Sequence, residues 1–202
     1  MADTAHHVVV HCAYKGATMI LNDDQIRQRI EAGMIDGAAM EQVRKGSISY
    51  GVSSFGYDMR VANEWQLWRG DKVSTIDPKR RDLHTKLDVK VAPTVTIPPG
   101  EFALCRSVEY FVIPEDIMCI VVGKSTYARC GLIVNVTPLE PGWEGHVTIE
   151  LSNTAPLPIK VYAFEGIAQV LFFQGKRPRA TYRDKSGKYM MQRGVTLPIV
   201  EE

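Results

Sequence analysis

The chain has 202 residues, 45% of them hydrophobic and 23% charged, with a formal net charge of +1. That balance is ordinary for a folded protein of one or two domains and excludes a chain too polar to build a core. Near-neutrality argues against the broad basic surface that nucleic acid or a membrane demands, and no apolar run approaches the roughly twenty residues of a membrane-spanning helix.

Residues 1–18, MADTAHHVVVHCAYKGAT, differ in texture from the rest. His6, His7 and His11 invite a metal reading, but no carboxylate or cysteine completes a site at regular spacing. They read as an irregular leader, non-native or upstream of a natural start at Met19, with no basic-then-apolar targeting pattern, so a cytoplasmic location is expected. Met19 opens MILNDDQIRQRIEAG. Asn22 and Gln25 form a capping-box variant, Ile26 and Ile30 share a face, and Gly33 suits the stop, which predicts a short helix at 23–32.

Strand signals follow, rich in β-branched and aromatic residues: 48–50, 57–61, 65–67, 94–97, 101–108, 110–112, 118–122, 132–136, 146–152, 159–162 and 168–173. Pro98-Pro99-Gly100, Pro114-Glu115-Asp116, Pro141-Gly142 and Glu165-Gly166 supply the turns between them. Residues 19–175 therefore read as one all-β domain, a sandwich or barrel with one short helix and one helical turn. In that turn Ser125 is the expected cap of Thr126, Tyr127 and Ala128. Residues 176–202 form a basic, polar tail. Cys12, Cys105, Cys119 and Cys130 show no C-x-x-C spacing and read as buried, reduced thiols.

Four stretches carry candidate chemistry. Gly123-Lys124-Ser125-Thr126-Tyr127-Ala128-Arg129 combines close backbone approach, a Ser-initiated helical turn and two cations, all suited to an anion. It is not a P-loop, since Met118 stands where the first glycine belongs. A plain β-to-helix turn with solvated charges weighs equally on composition. In 146–152, His146, Thr148, Glu150 and Ser152 share one face of an alternating strand and Val147, Ile149 and Leu151 the other. For a strand in general, Glu150 would be a solvated outward residue; enclosed, it would have a raised pKa suited to moving protons near neutrality. Tyr57-Asp58, among small residues, reads first as tight packing. Tyr182, Lys188, Tyr189, Gln192 and Arg193 in the tail suit a lid over a nucleotide, although polar tails are common.

Together, GKSTYARCGLIVNVTPLEPGWEGHVTIELSN (123–153), EGIAQVLFF (165–173), GKYMMQRGVTLP (187–198) and SYGVSSFGYDMR (49–60) resemble the dCTP deaminase family, which shares its fold with trimeric dUTPases. The likeness runs from about Met19 to Pro198. It implies a distorted β-barrel of the dUTPase-like type and a homotrimer with active sites shared between subunits. The implied activity is hydrolysis of dCTP to dUTP and ammonia, with dTTP as a candidate regulator. By the same resemblance Glu150 is the general base, Ser125 hydrogen-bonds near the reacting centre, and Arg129 orients that network. Lys124 through Arg129, Thr148, Ile149, Glu150, Gln169, Tyr182, Lys188 and Gln192 line the nucleotide site. Mg2+ travels with the triphosphate, and no zinc is implied, since the H-x-E and P-C-x-x-C ligands of zinc deaminases are missing. Glu140 stands where relatives also carry Asp, and the 137–141 loop matches only one branch of the family. A dUTP pyrophosphatase, a bifunctional enzyme yielding dUMP, and a non-catalytic nucleotide-binding trimer are the rival readings.

Overall fold

A computed structural model describes residues 19–68, 75–79 and 82–200; the leader reading of residues 1–18 lies outside the described residues. Helix α1 (Asp23–Glu31) starts where expected, because Asn22 Oδ1 accepts from the Gln25 N–H while the Gln25 side chain accepts from the Asn22 N–H. These two reciprocal bonds satisfy donors that the first turn leaves orphaned. Ile26 is fully buried on its inner face.

The strands are β1 (Ile35–Asp36), β2 (Gly51–Ser53), β3 (Gly56–Arg60), β4 (Glu64–Trp68), β5 (Leu87–Val91), β6 (Thr94–Ile97), β7 (Phe102–Val112), β8 (Ile117–Gly123), β9 (Leu132–Asn135), β10 (Glu144–Asn153), β11 (Ile159–Tyr162) and β12 (Gly166–Gln174). They form three antiparallel sheets. One has the order β5-β4-β7-β10-β9, with β1 also on β7; a second is β2-β3-β12-β8; the third is the pair β11-β6. Side chains from all three, among them Phe111, Ile149, Phe172, Met59, Ile97 and Val161, meet in one core. This is the all-β, barrel-like arrangement expected from the strand spacing.

Several local expectations are corrected. The predicted strand at 48–50 is a single bridge between Val43 and Tyr50, and pairing begins at Gly51. Gly51 has φ +101°, and a Cβ there would strike the Glu41 carbonyl oxygen, so only glycine admits this close approach. Strands β1 and β5 were not predicted: β1 is only two residues long, and the alternation of Leu87, Val89 and Val91 with Asp88 and Lys90 in β5 was passed over. The two segments 101–108 and 110–112 are one eleven-residue strand, β7, which runs on through Glu109 opposite a register shift in β10. The Glu109 carboxylate is wholly buried and accepts from Arg60 Nε at 2.7 Å, the Arg60 N–H at 3.0 Å and the Tyr57 hydroxyl at 3.0 Å. Helix α2 spans Ser125–Ala128, so Lys124, in an extended conformation, is its N-cap and Ser125 its first residue. Cys105 and Cys119 are buried as expected, but Cys130, just past α2, is exposed.

Candidate active site

The long pair β7–β10 carries the site. Along β10 burial alternates without a break from Glu144 to Asn153, so Thr148 and Glu150 share the half-exposed face and Val147, Ile149 and Leu151 enter the core. A bulge interrupts the β7–β10 register between His146 and Thr148, and the Val147 N–H bonds Ser107 Oγ at 2.9 Å. Bulges of this kind re-aim side chains next to functional sites.

Thr148 and Glu150 open into a cavity of about 800 Å³, within the range of small-molecule sites. Trp68, Phe102 and Leu104 form an apolar wall on the sheet, and Trp143 and Leu139 come from the turn before β10. The C-terminal segment closes the remaining side with Tyr182, Lys188, Tyr189, Gln192 and Thr196. This segment is fastened to the sheet. Trp143 Nε1 donates to the Tyr189 carbonyl at 2.8 Å, the His146 N–H to the Gln192 carbonyl at 2.9 Å, and the Met191 N–H to the Glu144 carbonyl at 2.8 Å. Thr148 Oγ1 donates to Gln192 Oε1 at 3.0 Å and accepts from the Thr196 N–H at 3.2 Å.

Glu150 is the electrostatic anomaly of this cavity. Its Oε2 is buried without a hydrogen-bond partner among the described residues. Burial pushes its pKa up to about 7, against a smaller opposing pull from its own backbone N–H. Cys105, on β7, is the cross-strand partner of Ile149. Complete burial, with Glu150's charge adding to it, raises the thiol well above its ordinary value, and its Sγ donates to the Ile149 carbonyl.

Of the residues singled out in the sequence, Thr148, Glu150, Tyr182, Lys188 and Gln192 converge on this cavity. Tyr182 is fixed by the Tyr189 N–H donating to its hydroxyl at 3.1 Å, and by Gly187, where any Cβ would overlap the Tyr182 ring. Lys188 Nζ donates to the Ile199 carbonyl at 2.6 Å. Ile149 is fully buried on the opposite face of β10, so only its backbone faces the site strand. Ser125, Thr126 and Ala128 on α2, and Arg129 at its C-cap, are exposed and outside the cavity of the single chain. Arg129 Nη1 donates to the Ser125 carbonyl at 3.0 Å. Tyr127 is buried, its hydroxyl accepting from the Tyr162 N–H at 3.0 Å, which anchors α2 to β11. Lys124 pairs with Asp58 at 2.6 Å, and Gln169 Nε2 donates to Ser53 Oγ at 3.0 Å. Sequence reasoning passed over Trp68, Leu104 and Thr196, which look like ordinary strand or tail residues until the tail is laid across the sheet.

The chain thus presents a desolvated carboxylate in a roofed cavity on an all-β fold. The chain belongs to the dCTP deaminase-like family, whose model matches residues 20–175. It is 58% identical over 175 residues to a dCTP deaminase of Herpetosiphon aurantiacus, covering 86% of this chain and 95% of that protein. It is also 58% identical over 181 residues to one of Erythrobacter litoralis, covering 89% and 98%. The fold resembles that of 2'-deoxycytidine 5'-triphosphate deaminase from Agrobacterium tumefaciens, with a TM-score of 0.63 at 18% identity, over 79% of this chain and 49% of that one.

Proposed function

We propose that the protein hydrolyses dCTP to dUTP and ammonia, with Glu150 as the proton-transfer group. The observation that carries this is the orphaned, buried Oε2 of Glu150 with its pKa near 7. A carboxylate poised there is half-deprotonated at neutral pH and suited to act first as base and then as acid. Water adds to C4 of the cytosine while Glu150 takes one of its protons and passes it to ring N3. Glu150 then takes the remaining proton of the new C4 hydroxyl and delivers it to the amino group. Ammonia leaves and the C4 carbonyl forms. One water is consumed, and the carboxylate ends as it began. The substrate is the Mg2+ complex of dCTP. Lys188 in the tail is a candidate phosphate partner, and dTTP, which differs from the product by a ring methyl, is the candidate regulator.

We further propose that the working form is a homotrimer with sites shared between subunits. On β8, Met118, Ile120 and Val122 are exposed on one face while Ile117, Cys119 and Val121 are buried on the other. Their cross-strand partners Phe173 and Leu171 extend this apolar outer face. A strand apolar on both faces calls for a second layer. The stripe ends at Gly123, directly before α2, so a copy seated on it lies beside Ser125 and Arg129. That supports a site in which α2 of one subunit completes the Glu150 cavity of another.

Incubation with Mg–dCTP, followed by separation of nucleotides and measurement of ammonia, tests the reading. Equal amounts of dUTP and ammonia are expected; dUMP with pyrophosphate would mean a bifunctional enzyme, and no ammonia would defeat the proposal. Glu150→Gln is expected to retain dCTP binding and lose turnover by about 10²–10⁴-fold. Wild-type turnover in that variant would remove Glu150 from the chemistry.

A further inference from the structure

Between the ladder pairs His146–Tyr110 and Thr148–Arg106, β10 has one residue, Val147, where β7 has three, 107–109. The excess is even, so β7 bows away from β10 while every side chain stays on its own face. The bow is pinned on its far side. Val61 bridges Ser107, the Ala62 N–H donates to the Arg106 carbonyl at 2.8 Å, and the Glu109 carboxylate accepts from the N–H and Nε of Arg60. Arg106 grips both carboxylate oxygens of Glu64 and also donates to the Ser107 carbonyl at 3.1 Å.

Val147 has no ladder partner on β7, and its N–H donates instead to Ser107 Oγ at 2.9 Å. The same hydroxyl donates to the Glu109 carbonyl at 2.7 Å. Ser107 is wholly buried and Val147 nearly so. A buried amide left without an acceptor loses more free energy than an ordinary hydrogen bond returns, so the Ser107 hydroxyl decides the course of β10 at this point. The amide before it, the His146 N–H, holds the Gln192 carbonyl of the roof. The residue after it is Thr148, with Glu150 two further along the same face, and both open into the cavity.

We propose that Ser107, which does not line the cavity, is a positioning residue for the reaction: its hydroxyl bridges the Val147 N–H and the Glu109 carbonyl, and so fixes the bulge that aims Glu150 at the substrate. This deepens the dCTP reading and rests on it.

The test compares Ser107→Ala, which removes the bridge, with Ser107→Thr, which keeps the hydroxyl and whose β-branch suits a strand. Each is assayed with Mg–dCTP well below its thermal midpoint. Ser107→Ala is expected to lower kcat by about ten- to a hundredfold, the effect of misplacing a reacting group by up to about 1 Å, with a smaller change in KM. Ser107→Thr is expected to restore most of kcat. A folded Ser107→Ala protein with a reduced thermal midpoint but wild-type kcat overturns the proposal, because the hydroxyl then only holds the fold. A folded Ser107→Thr protein as slow as Ser107→Ala also overturns it. If Ser107→Ala does not fold, Ser107→Cys, with a thiol that accepts only weakly, replaces it under the same criteria. A second measurement needs no turnover. The side-chain carboxyl carbon of Glu150 is followed by NMR across pH in the wild-type protein and the variant. Loss of the bridge is expected to move its titration midpoint, and an identical midpoint in the two proteins refutes the positioning role. If the wild-type protein releases no ammonia from dCTP, the deamination reading fails, and the Glu150 titration still decides the role of Ser107.

Discussion

Between pH 4.5 and about 7 the folded chain keeps a proton on Glu150 that the unfolded chain has released. The native state binds more protons in that window, so stability falls as pH rises through it and levels off above about 7. With Glu150 in the proposed role, activity is expected to run the other way. A general base works when deprotonated, so kcat/KM is expected to climb through the same window to a plateau. Glu150→Gln removes the titration, so its thermal midpoint is expected to exceed that of the wild type at pH 8 and the two to converge near pH 4. Thermal unfolding across pH checks this, and a gap that stays constant with pH would show that Glu150 titrates normally. The sequence alone left this position open. Alternation in 146–152 put Glu150 on the face opposite Val147, Ile149 and Leu151, but it held no information on whether that face meets water or a roof.

At the scale of elements, the roof is the C-terminal segment. Its bonds from Trp143, His146 and Thr148 to residues 189–196 bind it to β10 and to the turn before it. Ending the chain after Gly175 leaves β12 intact while removing Tyr182, Lys188 and Gln192 from the cavity. Such a truncation is expected to raise KM for dCTP by at least about tenfold, the equivalent of one or two hydrogen bonds of about 1 kcal/mol each from the removed groups to the substrate. Unaltered kinetics would show that the segment is only packing. A cluster of basic and aromatic residues in the tail suited a lid, yet no local rule separates such a tail from an ordinary polar one. Strand β7 teaches the converse: two short runs on either side of Glu109 read as two strands, and in the fold the buried Glu109 carboxylate meets Arg60, 49 positions away, within one strand.

At the scale of the whole molecule, a single chain holds Glu150 in the cavity and Ser125 and Arg129 outside it. The proposed sharing of sites between subunits would resolve this separation. Arg129→Ala and Glu150→Gln proteins, each inactive alone, are expected to regain activity when their subunits are mixed. Under random mixing about one site in four draws both intact residues from different subunits. No recovery despite demonstrated exchange would place both groups in one subunit's site. The apolar outer face of β8 makes its own demand, that the chain elute from a sizing column as an assembly.

By itself, the sequence determined what depends on near neighbours along the chain. It specified α1, through the Asn22–Gln25 box, and the all-β class, through short alternating runs punctuated by Gly and Pro. Its ordered segments also carried the family likeness. The tertiary structure decided what depends on residues far apart in number. It joined Lys124 to Asp58 across 66 positions and Thr148 to Gln192 across 44, buried Glu109 beside Arg60, and stripped water from one oxygen of Glu150. The reason is physical: propensity and periodicity are local, whereas burial, and the pKa that burial sets, exist only once distant segments have closed over a side chain.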